Sequence, residues 1–231
     1  MSDATPSTSI AMVIYPNLTQ LDLTGPFEVL ARMPNTTVDL VGRTLDPVAS
    51  DRGLVLTPDK TFADCPMPDI LFVPGGPGQI EAMEDEVLVD FVRRAGAAAD
   101  LVTSVCTGSL ILGAAGLLQG KRATCHWISL DKLALLGATP VNERVVEDGN
   151  VITAAGVSSG IDFALTVAAR LHGQELAEKI QLFVEYAPEP PFDSGSADKA
   201  DPAMVADMRA NASDMLQRRD AGIERAAQGL A

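Results

Sequence analysis

Positive charge is scarce in this sequence. Its 17 Lys and Arg stand against 31 Asp and Glu, a formal net charge of −14. That balance argues against a nucleic-acid partner, because holding phosphates takes clustered Lys and Arg. A solvated acidic surface is the simplest reading of the charge. Cysteine is scarce as well. Cys65, Cys106 and Cys125 cannot all pair, and no zinc-type spacing joins them, so neither a disulfide framework nor a metal site is expected. Long apolar runs are missing too. Residues 110–118 come nearest to a membrane span and are too short for one. The polar start, residues 1–9, lacks a basic n-region, so no secretory signal is read there. These absences point to a reducing, cytoplasmic setting without membrane attachment. No internal repeat is found.

What is present is a chain able to bury a large core: 231 residues, 47% hydrophobic and 21% charged. Apolar, β-branched runs read as strands at 9–15, 37–41, 54–57, 69–73 and 101–105, with a further short one at 123–127. Between them lie helical patterns. Residues 27–32 form a helix with Thr24 as N-cap and Pro26 in its first turn. The helix 87–99 turns Val87, Val89, Phe91, Val92 and Ala95 inward, and further helices span 110–118 and 128–136. Residues 145–154 form a hairpin around Asp148-Gly149. The helix 161–171 follows a glycine-bounded cap. The helix 175–185 carries Leu176, Ile180, Phe183 and Val184 on one face. Strands alternating with helices predict an α/β fold with a mostly parallel sheet. From Ala187 prolines and small polar residues take over. The chain therefore divides into an α/β domain, 1–187, and a polar tail, 188–231. The tail's Ala-rich stretch 204–227 reads as an exposed helix or an arm that packs on a partner subunit.

One stretch concentrates chemistry. Val105-Cys106-Thr107-Gly108-Ser109 ends a buried strand and opens a helix, which places a thiol on a strand-to-helix turn. The helix N-terminus is expected to favour a thiolate there. Asp22 lies between Leu21 and Leu23, just beyond the first strand, and a carboxylate among apolar neighbours must be paired, exposed or raised in pKa. Pro74-Gly75-Gly76 follows another strand. It has no Gly-Lys-Ser/Thr continuation, so it is not a phosphate loop. It can supply an N–H donor of the oxyanion kind if it lies beside Cys106. In a parallel sheet all three strand ends share one edge, where such sheets bind ligands. A carboxyl group, backbone donors and a thiol there amount to nucleophilic addition with proton transfer.

The other reactive residues have plainer readings. His126 could be a base for Cys106, and a structural role is the simpler one. His172 reads as a partner for a helix C-terminus. Cys65 and Cys125 read as packing residues, Cys125 near the pocket. Trp127 reads as core or pocket wall and Val157 as pocket lining.

These motifs, with Ala123-Thr124-Cys125-His126-Trp127 and 155–160, resemble the ThiJ/PfpI superfamily, part of the class I glutamine amidotransferase-like proteins. The resemblance spans about 10–187 and implies a flavodoxin-like three-layer sandwich. The chain is most similar to the branch that hydrates isocyanides, a likeness continuing through Pro190-Pro191-Phe192-Asp193-Ser194-Gly195-Ser196. Peptidase-like members carry Cys-His-Gly at the elbow, where this chain has Cys106-Thr107-Gly108. The glyoxalase and deglycase branch uses a glutamate where this chain has Asp22, and Glu28 comes too late to replace it. The regulator branch shares the His126-Trp127 pair but adds a DNA-binding module for which the acidic tail is too short. The resemblance implies a cofactor-independent hydro-lyase, acting as a homodimer on a small isocyanide and giving an N-substituted formamide. Cys106 would be the nucleophile and Asp22 the proton carrier. Thr107 would be a further catalytic group, with the N–H groups of Gly76 and Thr107 as donors to the intermediate. Two other readings stay open: a glyoxalase or deglycase acting on reactive aldehydes, and a non-enzymatic redox sensor or stress protein in which Cys106 is oxidised.

Overall fold

The computed structural model describes residues 7–230. Most of the polar start assessed for a signal, residues 1–6, lies outside them. The first unit is β1 (Thr8–Val13), α1 (Gln20–Leu30) and β2 (Thr36–Gly42). Three two-residue strands follow, β3 (Val48–Ala49), β4 (Val55–Leu56) and β5 (Lys60–Thr61), then β6 (Ile70–Val73), α2 (Gln79–Glu84) and α3 (Glu86–Ala98). Next come β7 (Leu101–Val105), α4 (Gly108–Ala114), β8 (Arg122–Ala123), a 3-10 helix (Trp127–Leu136) and β9 (Thr139–Pro140). The hairpin β10 (Val145–Asp148) and β11 (Val151–Ala154) leads into α5 (Ser159–His172) and α6 (Gln174–Phe183). The tail forms α7 (Pro202–Asn211) and α8 (Ser213–Gln228).

The central sheet has seven strands in the order β10-β11-β7-β6-β1-β2-β5, and only β10 runs antiparallel to its neighbour. The strands β1, β6, β7 and β11 are almost wholly buried, as continuous apolar runs covered on both faces must be. Helices α1, α5 and α6 pack together as one layer; α2, α3, α4, α8 and the 3-10 helix pack together as the other. The architecture is the flavodoxin-like three-layer α/β sandwich. None of the described helices is long and apolar enough to cross a membrane.

Several local expectations shift. Helix α1 begins at Gln20, not after Thr24, so Asp22 sits in its first turn and Pro26 lies inside it. Pro26 has no N–H to give the Asp22 carbonyl four residues back, and the helix tolerates that one lost bond. In α3 Leu88 is buried and Val87 is 47% exposed. In α6 the buried residues are Ala177 and Ile180, while Phe183 lies outside under the Arg32 guanidinium. The stretch 123–127 pairs only through β8, in a separate two-stranded sheet with β9, and 128–136 winds as a 3-10 helix. Helix α4 stops at Ala114, ahead of Gly116 in the left-handed region. In the tail α7 buries no residue, as an exposed helix does, whereas α8 is partly buried. Helix α8 packs on α2, α4 and the 3-10 helix of its own chain, burying Arg219, Gly222 and Ile223.

Candidate active site

Strands β7, β6 and β1 are adjacent and parallel, so their C-terminal ends deliver Cys106, Gly75 and Tyr15 to one edge. Asp22 reaches the same edge from α1. Cys106 has φ 58°, left-handed backbone that costs a non-glycine residue about 1–3 kcal/mol. Its N–H donates to the carbonyls of Ala154 (3.0 Å) and Ala155 (2.7 Å), which holds the turn against β11. Gly108 seals the other side: a Cβ there would collide with the Val73 carbonyl and lie 2.8 Å from that of Pro74. The elbow is thus overdetermined by its neighbours, and the strain persists.

Gly75 is the keystone of the contacts. Its N–H donates to Asp22 Oδ2 at 3.0 Å. A Cβ on Gly75 would overlap the Thr107 nitrogen and stand 2.7 Å from Thr107 Oγ1 and 2.9 Å from Asp22 Oδ2. Only a glycine lets the loop come so close to both residues. The Gly76 N–H, read from sequence as an oxyanion donor, donates to Thr107 Oγ1 at 3.0 Å. It is engaged in positioning Thr107, because the two-glycine turn points its successive N–H groups at Asp22 and at Thr107. The Thr107 N–H lies on the side of the Cys106 sulfur where it favours the charged form. Tyr15 anchors the loop from below, its buried hydroxyl donating to the Pro74 carbonyl at 2.7 Å.

Asp22 is fully buried, and its Oδ1 has no hydrogen-bond partner of ordinary geometry. Burial raises its pKa from 3.8 to about 7; hydrogen bonding with the Cys106 thiol and the Gly75 N–H pulls it back down, and Asp51 adds a small push upward. Cys106 is 4% exposed. Burial drives its thiol well above the usual range, Asp22 and Cys125 add to that, and the Thr107 N–H opposes it. The expected standing thiolate is therefore corrected. The field of the seven-residue α4 does not outweigh desolvation and a neighbouring carboxyl group. The two groups influence each other's titration: above about pH 7 the pair carries one negative charge on the Asp22 carboxylate and one proton on the neighbouring Cys106 thiol.

A cleft of about 640 Å³ adjoins the elbow. Its walls include Cys125, His126, Trp127, Ala155 and Val157, with Asn142, Arg144 and Arg209 at its polar side. Cys106 is not among its lining residues; Ala155, whose carbonyl accepts from the Cys106 N–H, is. Cys125, Trp127 and Val157 lie at the pocket, as read from the sequence. His126 serves as N-cap of the 3-10 helix, its Nδ1 accepting from the Ile128 N–H at 3.3 Å. Burial and then Arg219 lower its pKa from 6.5 to about 4, so it is neutral near pH 7, in accord with a structural role. His172 ends α5, and Cys65 is a buried free thiol.

Tyr15 and Arg219 were not legible as site residues. Tyr15 ends the first apolar run and read as core. Arg219 lies in the stripe Leu216, Arg219, Ile223, Ala226, and a cation inside a helical apolar period was the available signal.

A model of the DJ-1/PfpI family matches residues 8–170 and so stops before α8. The isonitrile hydratase of Pseudomonas putida is 54% identical over 221 residues, covering 96% of this chain and 97% of that protein. A glutathione-independent glyoxalase of Caenorhabditis elegans is 30% identical, over 58% of this chain and 73% of its own. The crystal structure of a ThiJ/PfpI family protein from Pseudomonas syringae superposes with a TM-score of 0.92 at 42% identity, covering 96% and 97% of the two chains.

Proposed function

The chain belongs to the DJ-1/PfpI family, and from that premise we propose that it hydrates isocyanides to N-substituted formamides, without a cofactor, through a covalent intermediate on Cys106. The observation that carries this is the buried acid Asp22 coupled to a thiol on a strained elbow, in a chain that follows an isonitrile hydratase along nearly its whole length. An isocyanide carbon accepts a nucleophile and a proton at the same atom. A thiol–carboxyl pair holding one proton and one negative charge can provide both.

In this reading the thiol proton moves to Asp22 as the Cys106 sulfur forms a bond to the terminal carbon. Asp22 gives that proton to the carbon, leaving a thioimidate, R–N=CH–S. The Asp22 carboxylate then takes a proton from water as its oxygen adds to the same carbon, and that proton passes to the nitrogen. The tetrahedral adduct expels sulfur, its hydroxyl proton returns to the pair, and R–NH–CHO leaves. The Thr107 N–H steadies the sulfur through the cycle. The Gly76 N–H acts through the Thr107 hydroxyl it holds, and reaches the intermediate directly only if that bond opens. The R group occupies the cleft walled by Trp127 and Val157. The reading includes a cytoplasmic homodimer; a monomer by light scattering removes that part alone.

The test offers purified protein a simple aryl isocyanide and, separately, methylglyoxal. Formamide carrying oxygen from labelled water, with a transient adduct on the Cys106 peptide, is the expected result. Lactate without formamide replaces this reading with a glyoxalase. Neither product, together with ready peroxide oxidation of Cys106, replaces it with a redox role.

A further inference from the structure

Helix α8 sends one charged side chain into the interior. Arg219 is 3% exposed and its three hydrogen-bond partners are all uncharged: Gln79 Oε1 at 2.9 Å, the Ser129 hydroxyl at 2.9 Å and the Met215 sulfur at 3.7 Å. A guanidinium buried without a compensating charge is strongly destabilising, so its neighbourhood calls for an anion. The adjacent Asp220 is bonded elsewhere, to Lys132 at 2.9 Å.

A chain of hydrogen bonds runs from Arg219 to the elbow. Arg219 Nε–H donates to the Gln79 side chain, and the Gln79 backbone N–H donates to the Gly76 carbonyl at 3.1 Å. The Gly76 N–H in turn holds Thr107 Oγ1. The groups whose charges bear on Arg219 are Cys125, Cys106, Tyr15 and Asp220; Arg219 itself bears on Tyr15, Cys125 and His126. Asp51 is the further acid that bears on Asp22. Of these, Tyr15 and Cys125 stay neutral because burial holds their pKa values high, and His126 is neutral because its own is low. Asp220 is already paired with Lys132, so the anion left uncompensated near Arg219 is that of the Cys106–Asp22 pair.

We propose that Arg219 is a positioning residue for the Cys106–Asp22 pair: from the C-terminal helix it supplies the pair's counter-charge and, through Gln79, fixes the loop that holds Asp22 and Thr107. Helix α8 is in this sense part of the active site. The proposal deepens the hydratase reading and rests on it for the word activity, while the titration it describes can be followed without any isocyanide.

The experiment compares the full-length protein with R219M, R219K and Q79E. Two pH profiles are measured, kcat/KM with an aryl isocyanide and the rate of Cys106 alkylation by iodoacetamide, read by mass spectrometry. R219M removes the charge, so the limb in which the pair loses its first proton should move up by about one pH unit. Both rates then fall about fivefold at pH 7 and recover by pH 9. R219K retains the charge and should keep the wild-type midpoint even if it melts earlier. Q79E keeps Arg219 but gives it a carboxylate of its own, and should shift both profiles in the same direction as R219M. It decides the matter if R219M does not fold. A wild-type midpoint in R219M, or in Q79E when R219M is insoluble, overturns the proposal whatever the melting temperatures. Alkylation alone shifting, with no hydration in any form, keeps the counter-charge and rejects the hydratase reading.

Discussion

Asp22 and Arg219 come from opposite ends of the chain and face the same difficulty. Each is an ionisable group buried without an ion-pair partner, one 0% and the other 3% exposed. They meet it differently. A carboxyl group can take up a proton, and Asp22 does so with a pKa near 7. A guanidinium cannot shed its proton under any ordinary condition, so Arg219 stays charged and must be accommodated by its surroundings. The family-matched part of the chain thus carries the group that titrates, and the tail carries the charge that does not. A site that needs a mobile proton next to a fixed field has both.

The most drastic way to break this comparison is to take out what stands between the two. Cys106→Ala should remove turnover to below detection in a formamide assay. Cys106→Ser should do nearly the same, because a serine hydroxyl stays un-ionised at neutral pH. Asp22→Asn comes next. It keeps the acceptor for the Gly75 N–H but holds no transferable proton, and kcat should fall about 1,000-fold. Stability should move the other way. A carboxyl group whose folded pKa is raised from 3.8 to about 7 stabilises the fold at low pH and loses that contribution as pH rises to 7. Asp22→Asn escapes the loss. Between pH 5 and pH 8 its stability relative to wild type should improve by about 3 kcal/mol in urea melts. A constant difference across that range would show that Asp22 is not buried as a titrating group.

Gly75→Ala tests the scaffold on the Asp22 side. The added methyl meets Thr107 and Asp22 Oδ2 together, and neither can retreat far. Overpacking should cost about 1–3 kcal/mol in melts, and displacement of the reacting groups should lower kcat/KM about 100-fold. An active, unshifted Gly75→Ala would mean that the loop moves freely and that its N–H does not set the acid.

How much of this could be read in the linear chain divides along the same line. The elbow, Asp22 and the glycine pair were legible because each is a short pattern at a strand end, and parallel strands bring such ends together. What was illegible depends on distances or on burial. Which glycine N–H serves which side chain is decided within ångströms, so Gly76 was read for a donor role while Gly75 holds the acid. The thiolate reading weighed the helix N-terminus but not the desolvation that overrides it. Proline is most at home in a first turn, so the local pattern puts the start of α1 beyond Thr24, whereas the helix begins at Gln20 and carries Pro26 inside. Arg219 was passed over with the whole tail, whose average polarity hides the one face of α8 that is buried.

The mildest change falls on His126, where the two sides of the comparison meet. Its pKa of about 4 comes first from burial and then from the field of Arg219. A histidine whose folded pKa lies below its unfolded value of 6.5 contributes fully above pH 6.5, and its contribution is lost as pH falls towards 4. That is opposite in sign to Asp22, so in the wild type the two slopes partly cancel between pH 4 and 6.5. His126→Asn keeps an acceptor for the Ile128 N–H and removes only the titration. Its kcat should stay within about twofold of wild type, because the proposed reaction makes no use of the imidazole. Its melts should expose the Asp22 slope alone, with acid now stabilising the protein down to about pH 4. A large loss of kcat in His126→Asn would instead make the imidazole a working base, and the proton now assigned to Asp22 would have to be divided between them.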